Sequence, residues 1–403
     1  MGTTGKILTA LILAIALSSP VQVLAQEKLE SSETCKPCHL QIYYQWAKSR
    51  HASSFTEPFF RMTFEEISKE NPENAKKCIT CHSPTTLLPE AGGEKLANEG
   101  VTCDFCHTVK EVDTSSELPH FVNTPGTRRG PVEDADTSFH RTAFSSLHLD
   151  SKFCGSCHDY VNPHGIKVLS TYSEWKESFY RGEEIQCQYC HLPELYRDLQ
   201  YQEHEVSTRP PDHTMKGGHF PSQLRDSLKG KGEIAFTGNK AIVTLYLTND
   251  KSGHMIPTGI PTHRVVISVV IFDERGNRLG EGETYLERVL GDGRGNPIEK
   301  PADMFLNARE VLSDNRVGPK ETRKITLTIP LKGVFEKVHG TASLFYELPS
   351  PDPNLKRVRI KFSDISLEEE RWNRTVLAIL LIVLVITILL VGYDVFLRLK
   401  KRN

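Results

Sequence analysis

Residues 35–39 read Cys-Lys-Pro-Cys-His. The same frame returns as Cys78-Ile79-Thr80-Cys81-His82, Cys103-Asp104-Phe105-Cys106-His107, Cys154-Gly155-Ser156-Cys157-His158 and Cys187-Gln188-Tyr189-Cys190-His191. The chain of 403 residues has ten cysteines, and all ten fall inside these five frames. An exported chain with an even cysteine count could form disulfides, and paired CxxC could hold zinc. Neither needs a histidine after every second cysteine. Covalent haem attachment does. Two thiols add across the two vinyl groups of one porphyrin, and the adjoining imidazole turns under the ring to ligate iron. The reading is five covalently bound haem c groups. Cys35, Cys38, Cys78, Cys81, Cys103, Cys106, Cys154, Cys157, Cys187 and Cys190 are the attachment residues, and His39, His82, His107, His158 and His191 the proximal iron ligands.

Each iron takes a second axial ligand unless it binds substrate. Sixteen histidines are present, so eleven remain after the five frames are assigned. Only five methionines exist, the initiator among them, so methionine ligation cannot dominate. Two imidazoles favour a lower potential than Met/His coordination. Local context selects His51, which follows the first attachment helix. It also selects His148, shortly before Cys154, with His140 eight residues further upstream. His213 opens the compact loop His-Thr-Met-Lys-Gly-Gly, and His254 sits in Gly-His-Met-Ile-Pro-Thr-Gly between two expected strands. His120 and His219 are reserves, and Met215 and Met255 weaker substitutes. His254 as a ligand would make the C-terminal half cap one haem directly. A turn histidine that only fixes its loop is the plainer alternative.

Outward from the frames, residues 26–230 read as a pentahaem domain, mostly helical or irregular. Helical pieces are short, such as Leu40–Ser49 with Ile42, Tyr43 and Trp46 on one face. Loops rich in Pro, Gly and Thr, including 123–130, join them. Such a polypeptide buries too little of itself, so the porphyrins should supply the missing apolar interior. Residues 231–365 read as an antiparallel β-sandwich of immunoglobulin or fibronectin type. Ala241, Val243, Leu245 and Leu247 alternate with Ile242, Thr244, Tyr246 and Thr248; Val265–Phe272 is a continuous apolar run; Ile325, Leu327 and Ile329 alternate again; and Ala342–Tyr346 could add a strand. The fold class is therefore α+β with one transmembrane helix.

The ends carry addressing signals. Residues 1–25 read as a signal peptide, with Lys6, an apolar run Ile7–Leu17 and the small-residue stretch Val23-Leu24-Ala25. An uncleaved N-terminal anchor is the alternative. After a linker at 366–374, residues 375–396 (TVLAILLIVLVITILLVGYDVF) hold one charge, Asp394. At about 1.5 Å per residue they span roughly 33 Å, enough for a bilayer. Arg398, Lys400, Lys401 and Arg402 in the tail 397–403 place that end in the cytoplasm. The body would lie on the periplasmic, extracytoplasmic face. Apolar residues at 38% and charged residues at 25% exclude a polytopic membrane protein or a disordered chain. The net charge of −2 leaves no basic footprint for nucleic acid.

The stretches TCKPCHLQIYYQWAKSRHASSF (34–55), HLDSKFCGSCHDYVNPHG (148–165), TYSEWKESFYRGEEIQCQYCHLPE (171–194) and DHTMKGGH (212–219) resemble multihaem cytochromes c in the superfamily of hydroxylamine oxidoreductase and its tetrahaem electron carrier. GHMIPTG (253–259) is similar to a motif in β domains appended to such cytochromes. The resemblance implies electron transfer through close-packed haems, with His51, His148, His213 and His254 as axial ligands. There are five frames rather than four or eight, no CxxCK frame, and a C-terminal anchor that the soluble carrier lacks. Expected partners are a quinol-oxidising membrane complex, a reductase or another cytochrome. Two other functions stay open. One is an enzyme acting on a small nitrogen or sulfur oxyanion at one five-coordinate haem, with Arg128, Arg129 or His120 nearby. The other is a docking role for the sandwich within a larger complex.

Overall fold

A computed structural model describes residues 28–87, 93–193, 211–333, 335–350, 352, 354–369 and 382–392. The second, third and fifth attachment frames sit on short helices, the fourth begins on one, and the first lies in a turn ahead of the helix Leu40–Ala47. Asn71 accepts from the backbone N–H of Glu73 and Asn74 and starts the helix Pro72–His82, with Pro72 in its first turn. Its last turn carries the second frame. Thr102 caps the helix Cys103–Thr108 by accepting from Phe105 N at 3.0 Å. Asp150 caps Ser151–Gly155, and the fifth frame fills the helix Cys187–His191. Helical spacing puts residues three apart on one face, so both thiols of a frame point the same way.

Leu40–Ala47 is the helix expected after the first frame. Its Trp46 is buried, and the indole N–H donates to Val101 O at 2.9 Å. The haem half is less purely helical and irregular than the sequence suggests. It contains three two-stranded ribbons: β1 (Val109–Asp113) with β2 (His120–Asn123), β3 (Thr127–Gly130) in parallel with β4 (Arg141–Phe144), and β5 (Asp159–Val161) with β6 (Lys167–Ser170).

The C-terminal half is built on β7 (Leu228–Thr237), β8 (Lys240–Asn249), β9 (Arg264–Asp273), β10 (Arg278–Leu286), β13 (Thr322–Pro330), β14 (Val338–Pro349) and β15 (Arg357–Glu369). Their order is β10-β9-β14-β15-β7-β8-β13. The expected sandwich is thus one continuous sheet folded over on itself rather than two separate sheets. Every pairing is antiparallel except the fold line. There β15 meets β7 in parallel over two pairs, Glu368↔Glu233 and Glu369↔Ile234. Glycines sit where the layers close: a Cβ at Gly232 would collide with Leu367 and Leu245, and one at Gly280 would lie 2.5 Å from Pro330 O. The alternation read in β8 is literal, since Ala241, Val243, Leu245 and Leu247 are wholly buried while Ile242 is exposed. The sheet runs to Glu369, into the stretch read as linker.

Between β10 and β13 the chain leaves the sheet as the ribbon β11 (Arg288–Gly291) with β12 (Glu310–Asp314), spanned by the helix Pro301–Asn307. This excursion joins the halves. Leu290, Met304 and Ala308 pack on Val168, and Ala302 packs on Ile67 and Ala75.

Among the described residues no helix is long and apolar enough to cross a membrane. The expected span 375–396 lies outside the described residues except for 382–392, which are helical with exposed apolar side chains such as Ile388, Leu389 and Leu390. The expected signal peptide lies outside them too.

Candidate haem-binding site

Three of the five frame histidines are held through one ring nitrogen. Nδ1–H of His82 donates to Ser54 O at 2.8 Å, that of His107 to Arg129 O at 2.6 Å and that of His191 to Lys216 O at 2.6 Å. Two of the expected distal histidines are held alike: His213 on Pro211 O and His254 on Met255 O, both at 2.9 Å. Occupying Nδ1 fixes the tautomer and leaves Nε2 with its lone pair for a metal. Burial lowers His51, His158 and His191 to about 4 and His107 to about 3, and neighbouring imidazoles push the same way. Burial likewise lowers His82, His148, His213 and His254. These imidazoles are neutral at pH 7, as ligation requires.

The rings meet in pairs. His51 faces His158 with centroids 6.1 Å apart, and His254 faces His191 at 6.4 Å. His213 lies 6.3 Å from His107, and His140 lies 6.5 Å from His39. An iron with two imidazole ligands, each bond about 2 Å long, separates ring centroids by about 6 Å. The residues present therefore fit haem iron in four frames.

The distribution is uneven. His107 has a second neighbour, His148, at 5.6 Å, whose Nε2 lies 3.0 Å from Cys106 O. His82 has none: among the described residues no imidazole pair at this spacing includes it. The Phe60 ring lies flat on His82 at 3.8 Å and 9°. Eleven spare histidines suffice in number, but space does not deal them one to a frame.

The thiols report which frames are neighbours. The thiol of Cys35 lies close enough to Cys103, that of Cys81 to Cys157 and that of Cys154 to Cys187 for each pair to shift its partner's ionisation. Cys106 lies close enough to Cys154 and Cys157 to interact electrostatically. The first frame thus adjoins the third, the third the fourth, and the fourth both the second and the fifth.

The reserves go elsewhere. His120 is exposed on β2. His219 packs against His263 at 6.1 Å, with Arg50 Nη2 3.2 Å from its Nδ1, and Tyr346 OH is 2.9 Å from His263 Nδ1. Met215 adopts a positive φ in its loop, and Met255 serves through its backbone. Arg128 is paired with Asp104 and Glu30 beside the first and third frames, and Arg129 supplies the carbonyl that holds His107. Neither arginine furnishes the His82 frame. Near that frame stand Lys77, 2.7 Å from Glu117, and Tyr160, which donates to Glu117 at 3.2 Å. Sequence reasoning missed the orienting carbonyls, because any residue supplies one. It also missed Phe60, which only proximity in space reveals.

Residues 34–108 match the family model described as cytochrome c554 and c-prime. A penta-heme cytochrome c552 from Thermochromatium tepidum is 22% identical over 84% of this chain and 98% of its own, with a TM-score of 0.64. That likeness is one of fold. Two others each cover 36% of this chain at 12% identity and a TM-score of 0.17: structural genomics target SoR45, over 87% of its length, and the C-terminal domain of wzt, over 74%. Those two carry no argument. No curated protein matches. The frames, the paired imidazoles and the two informative likenesses together support a multihaem c-type cytochrome.

Proposed function

We propose that this chain is a membrane-anchored electron-transfer protein holding five haem c groups on the periplasmic face. The observation that carries the reading is the set of imidazole pairs at 6.1–6.5 Å over four separate attachment frames. Each haem, when bound, supplies an iron couple that takes up and returns one electron. The chain's part is to attach, orient and space. The cysteines tether, the Ser54, Arg129 and Lys216 carbonyls fix ring orientation, and burial keeps imidazoles neutral. The thiol contacts support a conduit ordered first, third, fourth and fifth frame, with the second branching from the fourth.

The membrane anchor rests on the apolar run 375–396 and the basic tail, and export on residues 1–25. Redox proteins are the partners, a quinol-oxidising membrane complex, a reductase or another cytochrome being the expected classes. The test is an equilibrium redox titration of the purified holoprotein with electron paramagnetic resonance at each step. Five one-electron equivalents with predominantly low-spin, low-potential signals support the reading. Haem-free material, or uniformly high-spin iron, refutes it.

One observation favours a second activity. Among the described residues no imidazole lies opposite His82 at the spacing seen in the other four frames. An iron held there by His82 alone would take a small nitrogen or sulfur oxyanion, and Lys77, Glu117 and Tyr160 stand near that frame's cysteines. Carbon monoxide titration of the reduced protein separates the two. One equivalent bound per chain supports the open site; none leaves a carrier only.

A further inference from the structure

Glu174 lies on the helix Thr171–Lys176, just beyond the fourth frame, yet its carboxylate binds the other half of the molecule. Its side chain is only 9% exposed. Oε2 accepts from Met255 N at 3.1 Å and Thr258 Oγ1 at 2.7 Å. Oε1 accepts from Ser170 Oγ at 2.7 Å and Arg316 Nη1 at 2.8 Å. Met255 and Thr258 belong to the loop that carries His254. Arg316 extends the grip, bonding Pro257 O at 3.2 Å and Asp314 at 2.8 Å.

The hold reaches the imidazole in two steps. Glu174 fixes the Met255 amide, and the Met255 carbonyl takes the Nδ1–H of His254. Thr171 Oγ1, on the same helix, lies 2.9 Å from Thr258 Oγ1. The other anchors come from the loop's own half: Asn249 Nδ2 donates to His254 O at 2.8 Å, Ser252 Oγ lies 3.0 Å from His254 Nδ1, and Ile256 pairs with Val317. Glu174 is thus the haem half's charged contribution to placing this ring. Stability alone is a weak reason for such a group, since a buried ion pair often does no better than apolar packing. The carboxylate is paired with Arg316, which acts on His254 with the opposite sign, so removing the glutamate's negative charge alone would tip the balance toward the ferrous state of the iron that ligand holds.

We infer that Glu174 is the positioning residue for His254, setting the geometry of that ligand opposite His191 and lowering the potential of that iron. The inference rests on reading His254 as the distal ligand of the fifth frame.

The test uses three full-length holoproteins, His254→Ala, Glu174→Gln and Glu174→Ala, each verified to hold the parent's haem content. His254→Ala should convert one iron in five from low to high spin; an unchanged spectrum overturns both the ligand assignment and the inference. If His254→Ala behaves as expected, the glutamate variants decide alone. Glu174→Gln keeps the shape and should raise one of five midpoint potentials and displace one low-spin resonance. Glu174→Ala, if it folds, should add a partial high-spin signal of up to one iron in five. A Glu174→Gln titration and spectrum superimposable on the parent's overturn the positioning role while the ligand assignment stands.

Discussion

The two halves of this molecule solve the burial problem differently. The sheet half closes on itself: Ile234, Leu245, Ile267, Ile271, Leu344 and Leu367 are fully buried side chains contributed by every layer of the fold. The haem half has comparable length but only scattered buried apolar residues, among them Trp46, Leu96, Phe105 and Trp175. Its helices run from four to thirteen residues, mostly too short to persist alone. The difference teaches what the prosthetic groups are for. In one half side chains are the interior; in the other, the interior is brought in covalently.

The largest expected effect comes from preventing haem attachment. A chain expressed without residues 1–25, the stretch read as an export signal, should lose amide hydrogen-exchange protection in the described residues of 28–220 while β7–β15 keep theirs. Uniform protection in both halves would break the comparison.

Next is Ile267→Ala, deep in the sheet core. A cavity there should cost about 2–5 kcal/mol in denaturant unfolding of the sheet, with all haem spectra unchanged. Spectral change in that variant would show that the halves are not energetically separate.

A smaller and more local effect is expected for His51→Ala. It should convert one iron in five to high spin, at the fourth frame, and leave the sheet's unfolding midpoint where it was. Resonance Raman and chemical denaturation read the two quantities.

The smallest effect concerns Glu347, buried among Arg264, Arg357 and Arg359 on the sheet. Burial pushes its carboxyl upward, but hydrogen bonds from Arg359 and Arg264 outweigh that and hold it below the ordinary 4.5. A carboxylate lowered on folding stabilises above its unfolded value, and that contribution is lost as pH falls through the folded one. Acid unfolding curves of the sheet should therefore steepen below about pH 4.5, and Glu347→Gln should flatten that slope.

Much of this was legible in the residues. The Cys-x-x-Cys-His frames fix attachment chemistry by local spacing alone. The β8 and β13 alternations and the apolar run of β9 mark their strands because one or both faces are buried. His254 stands out as a candidate ligand from its Gly-His-Met-Ile-Pro-Thr-Gly loop, but that it faces His191 shows only in the fold. What could not be read depends on distances across the chain. Nothing local tells that His107 gathers both His148 and His213 while, among the described residues, His82 has no imidazole at that spacing, since separate loops converge there only after the attachment helices pack. On sequence the sheet ends at 365 because Glu368 and its neighbours look like a charged linker, yet they pair with β14 and with Glu233 and Ile234 of β7. Glu174 offered no signal, as one glutamate on a short helix resembles any other.

The most direct measurement of the central claim is the intact mass of the purified mature chain after acid-acetone treatment. The account predicts polypeptide plus five haems, none of them extractable. A mass equal to that of the bare polypeptide, with the colour left in the solvent, would contradict it.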